Sequence, residues 1–331
     1  MRNQFEQGFR GELEKAAKPS LSPDEYVEQA YRTSWMSAVV EGAAPKEYEK
    51  GRKRCNAAIA YWKTKERPLE ILMIHGSGRD RTNSCAGRES NSTRLLREGV
   101  KVLDGRPVNV SEVHLRDRKY NRMEACNNCL STASSLCGYS CDCFPLTGEP
   151  AQLIYPKILK ADVILMSSGV KQASMDSRLK TLLDRLISLD GGYEREEWKP
   201  KTQEFISSEI KRSREHVDYI PRLAGRVVAY FLSSKDQMNP DDQEKKTDYT
   251  GMVAESLWTG NDAYLMHHPD PYYVCFYGKW DEDYSHDAAR MLKMKDVLEA
   301  ARQLVLSTVE MAVRFRTEGY PPIKDRRVNR T

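Results

Sequence analysis

The sequence predicts an α/β protein with a doubly wound parallel sheet of five strands and a helical N-terminal extension. The five predicted strands are short apolar or alternating segments that end at polar or glycine-containing loops, as strands commonly do. Segments with helical periodicity or helix-forming composition separate most of them. Strands that alternate with helices form parallel sheets, and such sheets bind ligands beyond the carboxyl ends of their strands.

The N-terminal extension, residues 1–66, is predicted to be mainly helical and rich in charge. Residues 22–25 read Ser-Pro-Asp-Glu, which is typical of a helix start because a Ser cap precedes Pro and two acidic residues at the positive end of the helix dipole. The remaining domain spans residues 67–331. Its first strand is predicted over residues 69–74, an apolar run that ends at His75-Gly76.

Two further strands with helical connections follow. Residues 108–115 alternate between apolar and polar side chains, as a strand with two different faces does. Residues 163–166 form an apolar run that stops at Ser-Ser-Gly. Helices are predicted over residues 91–98 and 151–160, so that each connection returns the chain to the same end of the sheet.

The second half of the domain continues the same alternation. Five apolar residues between positions 179 and 187 are spaced at i, i+3, i+4, i+7 and i+8, which gives a helix one apolar face. Residues 225–232 and 272–277 are predicted as the fourth and fifth strands, with a helix over residues 252–258 between them. A single long helix is predicted at the end, over residues 287–315.

The composition excludes several classes of protein. The 52 basic and 48 acidic residues leave a formal charge of +4, and the basic residues are scattered, so we expect no nucleic-acid binding. No run approaches the roughly 18 apolar residues that a membrane span requires, so we expect no membrane partner. Residues 1–18 are charged throughout and contain no apolar segment typical of a signal peptide. We therefore expect a cytoplasmic protein.

The loop after the first strand is rich in serine, threonine and asparagine. It leads from a buried strand into a helix, where backbone amides and the positive helix end favour an anion. Arg81 replaces the third glycine of a dinucleotide fingerprint, and the Gly-Lys-Ser/Thr of a Walker A loop is absent. The loop therefore suits a monophosphate, although a solvated loop whose polar residues serve only turns and caps gives the same composition.

Four sets of residues occur in the order in which the NADPH-dependent FMN reductase superfamily has them. They are Gly76-Ser77-Gly78-Arg79 with Ser90-Asn91-Ser92, then Cys126-Asn127-Asn128-Cys129, then residues 161–168, and then residues 179–186. The chain resembles that superfamily, including its iron-sulfur flavoprotein branch, over about residues 69–315. The resemblance implies a flavodoxin-like fold, FMN as cofactor and NAD(P)H as co-substrate.

The resemblance also implies which residues contact FMN. Those bordering the phosphate would be Ser77, Arg79, Ser84, Ser90 and Ser92. Those beside the isoalloxazine ring would be Ser168, Gly169, Val170 and Lys171, with Ser233, Ser234 and Asp236 on its other side. No catalytic side chain is predicted, because flavin N5 itself accepts the hydride.

The third loop departs from the family pattern. Relatives usually have Ser-Pro-Val followed by an aromatic or amide residue, whereas residues 168–172 here read Ser-Gly-Val-Lys-Gln. Losing the proline and the aromatic residue is expected to loosen the flavin platform. Lys171 either favours the negative charge that develops near N1 and O2 of reduced flavin or is a solvated loop lysine.

Five of the eight cysteines lie between positions 126 and 143. Such a cluster, without a signal peptide, indicates metal binding or redox chemistry more than a secreted disulfide framework. Four converging thiolates can bind an iron-sulfur cluster or, as the less favoured alternative, zinc, while free or redox-active thiols are the third possibility. The predicted ligands are Cys126, Cys129, Cys137 and Cys141, with Cys143 as an alternative.

Three functions remain open at this level. The leading hypothesis is an FMN-dependent NAD(P)H oxidoreductase whose small-molecule acceptor is a quinone, an azo or nitro compound, a metal ion or free flavin. The second is an iron-sulfur flavoprotein that transfers electrons to a protein partner, and the third is a flavin-free metal-binding or regulatory protein. Because oligomers are common for this fold, we expect a homodimer or homotetramer.

Overall fold

The computed structural model contains a parallel five-stranded sheet with the strand order β2-β1-β3-β4-β5. The strands are β1 (Leu69–His75), β2 (Val108–His114), β3 (Val163–Gly169), β4 (Val227–Ser234) and β5 (Tyr273–Tyr277). The structure describes residues 44–79, 89–120, 123, 125–141, 150–190, 192–194, 199, 202–215, 221–235, 249–279 and 283–320. The flavodoxin-like fold predicted from the sequence is confirmed, and each predicted strand is present within three residues of its expected bounds.

Ten α-helices are found in the described part of the chain. They are α1 (Ala44–Lys63), α2 (Asn91–Val100), α3 (Cys129–Thr132), α4 (Pro150–Lys160), α5 (Ser177–Arg185), α6 (Ile187–Asp190), α7 (Gln203–Glu215), α8 (Tyr249–Ala263), α9 (Tyr284–Met291) and α10 (Lys295–Glu318). Short 3-10 helices lie at Lys101–Leu103 and Ser134–Leu136. No described helix has the length and apolar content that would let it traverse a lipid bilayer.

The sheet is buried on both faces, as a parallel sheet covered by helices must be. In β4, Val228 and Tyr230 pack into one core with residues of α4, α5 and α8. Val227 and Phe231 pack into the opposite core with residues of α2 and α10. Because successive side chains of a strand point to opposite faces, each central strand contributes to both cores, and its carboxyl end is held rigidly.

The described part of the N-terminal extension packs against the domain through α1 and α4. At the amino ends of the strands, Arg67 and Asp162 form an ion pair of 2.6 Å in which both side chains are only 3% exposed. Arg226 is fully buried, donates to the carbonyl of Leu159 at 2.6 Å and lies 4.4 Å from the ring of Trp62. These contacts join the end of the extension to the base of the sheet. The helix start predicted at residues 22–25 lies outside the described residues.

The prediction of a single long C-terminal helix is wrong. The chain forms α9 and α10, separated at Met294, whose backbone is extended with φ −81° and ψ 91°. Met291 and Leu298, on either side of the break, are both buried in the same core. The apolar positions therefore continue across the break, and the sequence contains no glycine or proline there that would have indicated it.

His268 makes stability depend on pH. Its Nε2 lies 2.8 Å from the Tyr230 hydroxyl, and burial lowers the pKa of its imidazole from 6.5 to about 4. Between these values the unfolded state binds more protons than the folded state, so the free energy of unfolding should fall as the pH drops from 6.5 to 4, by roughly 2–3 kcal/mol. Urea unfolding at several pH values would measure this.

The matched comparison uses two variants. His268→Asn should flatten the slope between pH 4 and 6.5, whereas His286→Ala, at an imidazole whose side chain is 72% exposed, should leave it unchanged. Equal slopes in the parent protein and in His268→Asn would contradict the assignment.

Candidate functional site

A cavity of about 320 Å³ lies at the carboxyl ends of the strands. It is lined by Ser77, Arg79, Ser90, Asn91, Gly169, Val170, Lys171, Ser233, Ser234, Lys235, Phe276, Gly278 and Asp287. Eight residues singled out from the sequence are thus brought together, from the loops after β1, β3 and β4. Ser92 and Ser168 do not line the cavity, and Ser84 and Asp236 lie outside the described residues.

One side of the cavity is formed by the loop after β1 and the start of α2. Ser77 is buried, and its hydroxyl accepts a hydrogen bond of 3.2 Å from the backbone amide of Arg79. Ser90 precedes α2 with an extended backbone, and its hydroxyl lies 2.9 Å from that of buried Ser92 rather than capping the helix. The contact with Ser92 therefore fixes the position of the Ser90 hydroxyl. Hydroxyls, a guanidinium and the amino end of a helix meet here, which is the set of groups that binds a phosphate.

The loop after β3 forms a tight turn. Lys171 and Ser174 exchange two backbone hydrogen bonds of 2.8 and 3.0 Å, and the residues between them, Gln172 and Ala173, have φ values of 47° and 56°. This is the geometry of a type I′ turn, which is strained for residues other than glycine or asparagine. The amide of Val170 also donates to the carbonyl of Ser233 at 2.9 Å. The loop expected to be loosened by the missing proline is instead fixed by this turn and by β4.

Asp176 connects the loops after β1 and β3. Its carboxylate accepts from the amide of Gly78 at 3.3 Å, from Lys171 Nζ at 2.7 Å and, as the N-cap of α5, from the amide of Arg178 at 3.1 Å. Its own amide donates to the hydroxyl of Ser168 at 3.0 Å, so Ser168 helps to fix the position of Asp176. Asp176 is 1% exposed. Asp176 was not selected from the sequence. Its only signal in the sequence is its position directly before the predicted helix, where it can cap the helix.

Lys171 is neither free in solvent nor directed only at the cavity. Its side chain is 56% exposed, and its ammonium group is paired with Asp176 at 2.7 Å. The ion pair fixes the ammonium group at the rim of the cavity, where the Asp176 carboxylate balances its charge. The effect of Lys171 on reduced flavin stays a prediction.

Asp287 is a second buried carboxylate at the cavity that the sequence did not indicate. It lies 3.5 Å from Lys235 Nζ and 3.1 Å from Arg290, and it accepts from the amide of Lys279 at 3.0 Å. A Cβ atom at Gly278 would stand 2.4 Å from its Oδ2, so only glycine fits beside it. In the sequence, only the position of Gly278 directly after β5 could have indicated this part of the site.

The residues of the cavity fit a flavin mononucleotide. A volume of about 320 Å³ falls within the range of small-molecule sites. The groups suited to a phosphate are Ser77, Arg79 and Ser90, while Gly169 and Val170 lie beside Ser233 at the adjoining ends of β3 and β4 with little side-chain bulk. Lys171 and Lys235 also line the cavity.

The four cysteines predicted as metal ligands line one separate cavity. Cys126, Cys129, Cys137 and Cys141 surround a volume of only about 10 Å³, together with Leu136, Arg185, Ile187 and Ser188. The described cysteines form no disulfide, and Cys143 lies outside the described residues. Arg185 Nη2 lies 3.5 Å from Cys141 Sγ, and burial raises the pKa of the Cys126 thiol.

This cavity does not fit an iron-sulfur cluster or a zinc ion. Its volume has room for about one water, and Arg185 lines it with a guanidinium nitrogen 3.5 Å from Cys141 Sγ. A four-thiolate zinc site needs sulfur atoms within about 4 Å of one another, because each zinc-sulfur bond is about 2.3 Å. Among the described residues, no three of these thiols come within 4.8 Å of one another. The four described thiols therefore do not converge on one metal centre.

Comparison with known proteins gives a match to one family model and similarity in fold to solved structures. Residues 69–226 match the family model described as NADPH-dependent FMN reductase. The solved structure of RosB with a bound 8-demethyl-8-formylriboflavin-5'-phosphate is similar at a TM-score of 0.50, with 12% identity over 76% of this chain and 82% of that chain. An azoreductase from Bacillus anthracis str. Sterne has a TM-score of 0.39, with 10% identity over 71% of this chain and 99% of that chain. An NADH:FMN oxidoreductase (EMOB) in its apo form has a TM-score of 0.37, with 14% identity over 74% of this chain and 89% of that chain. No curated protein matches the chain.

Proposed function

We propose, from the match of residues 69–226 to the family model described as NADPH-dependent FMN reductase, that the chain belongs to that superfamily and is an FMN-dependent oxidoreductase supplied with electrons by NAD(P)H. FMN would lie in the cavity at the carboxyl ends of the strands, and a small molecule would accept the electrons. The observation that carries this proposal is the convergence of Ser77, Arg79 and Ser90 with the amino end of α2 on one side of that cavity.

Each part of the cavity would have a distinct task. Ser77, Ser90 and Arg79 would bind the phosphate through hydroxyl and guanidinium hydrogen bonds. Gly169, Val170, Ser233 and Ser234 would flank the isoalloxazine, and the modest size of these four side chains would leave space for a planar substrate. When bound, FMN supplies the hydride acceptor and the redox chemistry.

The charged residues at the rim would favour the reduced state of the site. Lys171, paired with Asp176, and Lys235, near Asp287, place two ammonium groups where negative charge would accumulate. Protons would not have to be supplied by a side chain in the hydride step. The protein would contribute position, charge and exclusion of water.

The acceptor is proposed as a class: a quinone, an azo or nitro compound, a metal ion or free flavin. Open access to a planar ring is compatible with each of them, and parallel turnover assays with NADH and NADPH would select among them.

We further propose a homodimer or homotetramer acting in the cytoplasm, with residues 1–66 as an extension outside the FMN domain. No described contact favours the iron-sulfur alternative, because the cysteine cavity does not fit the cluster.

Arg79 gives a direct test of the site. Arg79→Ala should weaken FMN binding by on the order of 2 kcal/mol, a roughly 30-fold increase in Kd, through loss of a charge-assisted phosphate contact. Fluorescence titration of FMN measures this, and Arg302→Ala, at a half-exposed arginine of α10, should leave Kd unchanged.

The same preparation separates the competing functions. Uptake of one FMN with reduction by NADPH or NADH supports the oxidoreductase. Stoichiometric iron with broad visible absorption would favour an electron-transfer protein, and failure to take up FMN would favour a flavin-free role. Unchanged affinity in Arg79→Ala would remove this residue from the site.

A further inference from the structure

We propose that His75, Glu112 and His114 form a binding site for a divalent transition-metal ion such as Zn²⁺ at the β1–β2 side of the sheet. The site does not include the cysteines, and none of its three residues lines the proposed FMN cavity. It rests on geometry that is independent of the proposed function.

The three side chains converge because of strand register. His75 and His114 end β1 and β2 and are directly paired in the parallel ladder. Glu112 stands two residues before His114 and therefore points to the same face. The histidine rings are stacked with centroids 4.4 Å apart. One ligand atom from each residue lies within 4.8 Å of the others, and this is the only such group of three found in the described part of the chain.

The donor set suits a metal ion. Glu112 Oε1 lies 2.7 Å from His75 Nε2 and 3.2 Å from His114 Nε2, so the two imidazoles and the carboxylate face a common point. Two imidazoles and one carboxylate form a known three-ligand zinc set, which leaves a fourth position for water. Imidazole also favours copper and nickel, whereas Ca²⁺ and Mg²⁺ prefer oxygen ligands.

A neighbouring hydroxyl also orients one of the proposed ligands. The other ring nitrogen of His75 lies 2.8 Å from the hydroxyl of Ser167, a contact of the kind that orients metal-bound histidines. His75 is 1% exposed, whereas Glu112 and His114 are 29% and 28% exposed. The site therefore has one ligand fixed in the sheet and two that an ion can reach from solvent.

In the structure, the Arg97 guanidinium balances the negative charge of Glu112 and also contacts His114. Its guanidinium lies 2.8 Å and 3.0 Å from the two oxygens of Glu112 and 3.1 Å from His114 Nε2, and it also pairs with Glu89. With neutral histidines, two carboxylates face one guanidinium, so the cluster carries one excess negative charge. A divalent ion would take the place of the guanidinium on Glu112 Oε1, and Arg97 would keep its contact with Glu89. Arg97 is thus a competitor for the metal rather than a ligand.

This competition makes the test specific. The full-length chain, both with and without added FMN, is titrated with Zn²⁺ by calorimetry and with Co²⁺ by difference absorption, because Co²⁺ reports nitrogen, oxygen and sulfur ligands differently. We expect one site without thiolate-to-cobalt charge transfer. His114→Ala and Glu112→Gln should each weaken binding by more than about 10-fold. Arg97→Gln should strengthen it several-fold, because the competing cation is removed.

Two controls separate this site from other sources of metal binding. His286→Ala removes an exposed imidazole elsewhere, and Cys126→Ser removes one thiol of the cysteine cavity; neither should change the affinity. Equal affinity in His114→Ala and His286→Ala would overturn the proposal. A charge-transfer band lost in Cys126→Ser would overturn it as well, by placing the ion at the cysteines.

Discussion

Replacing Arg67 with methionine should lower the free energy of unfolding by about 3–5 kcal/mol, because it leaves the carboxylate of Asp162 buried without its counter-charge. The guanidinium donates to both carboxylate oxygens, at 2.6 and 2.7 Å, and to the carbonyl of Trp62 at 2.9 Å. Both charged side chains are 3% exposed, so solvent screens little of their attraction. Urea unfolding followed by circular dichroism would measure the loss.

A second substitution separates two causes of this loss: the missing attraction between Arg67 and Asp162, and the burial of the Asp162 carboxylate without a counter-charge. Asp162 also accepts from the amide of Glu70 at 2.9 Å, and asparagine can keep that acceptor without the charge. The double variant Arg67→Met with Asp162→Asn should therefore be more stable than Arg67→Met alone, by about 1–2 kcal/mol. Arg302→Ala breaks a largely exposed pair with Glu299 and should cost less than about 1 kcal/mol. A cost for Arg67→Met no larger than this control would show that the buried pair adds nothing.

The sheet could be predicted because its determinants are local. A buried parallel strand is a short apolar run, and β1, β3 and β4 are such runs that end at, or directly before, a serine or glycine. Contacts between distant residues leave no comparable pattern. Arg67 and Asp162 are 95 positions apart, and neither their pairing nor their burial could be inferred from composition or periodicity.

The proposed FMN site was partly predictable for a topological reason. Parallel strands bring their carboxyl ends to one edge, so polar loops after β1, β3 and β4 had to meet, whatever their detailed conformation. The side chains that connect those loops were not predictable in the same way. Asp176 lies at the start of a helix, where an acidic cap is common, and its contacts to Gly78 and Lys171 depend on the folded geometry.

Cysteine spacing was a weaker guide than strand topology. Sequence proximity brought four cysteines to one cavity, but it did not determine whether their sulfur atoms converge or what else enters the space. Arg185, 44 positions from Cys141, approaches that sulfur from α5. By contrast, His75, Glu112 and His114 converge through strand register, which the sequence alone did not reveal.

Asp176→Ala should lower the free energy of unfolding by about 2–3 kcal/mol and weaken FMN binding by about 10-fold. The N-cap of α5 contributes about 1 kcal/mol, and the remainder arises because the Gly78 amide and Lys171 lose their shared acceptor. Asp176→Asn keeps a side-chain oxygen for the cap and should lose about 1 kcal/mol or less, since the partner Lys171 is half-exposed. Denaturant unfolding of the apo chain and FMN titration would separate the two effects.

The FMN affinity of these variants decides between two roles for a carboxylate beside an anion site. If Asp176 mainly orders the loops after β1 and β3, its removal must weaken FMN binding, because the loops would have to be ordered when the ligand binds. If its charge mainly opposes the phosphate, Asp176→Ala and Asp176→Asn should both bind FMN more tightly. Asp184→Ala, at a half-exposed carboxylate of α5 that pairs with Lys180 of the same helix, should change neither quantity by more than about 0.5 kcal/mol. Because Lys171 and the capped helix already balance the charge of Asp176, we expect the ordering effect to dominate.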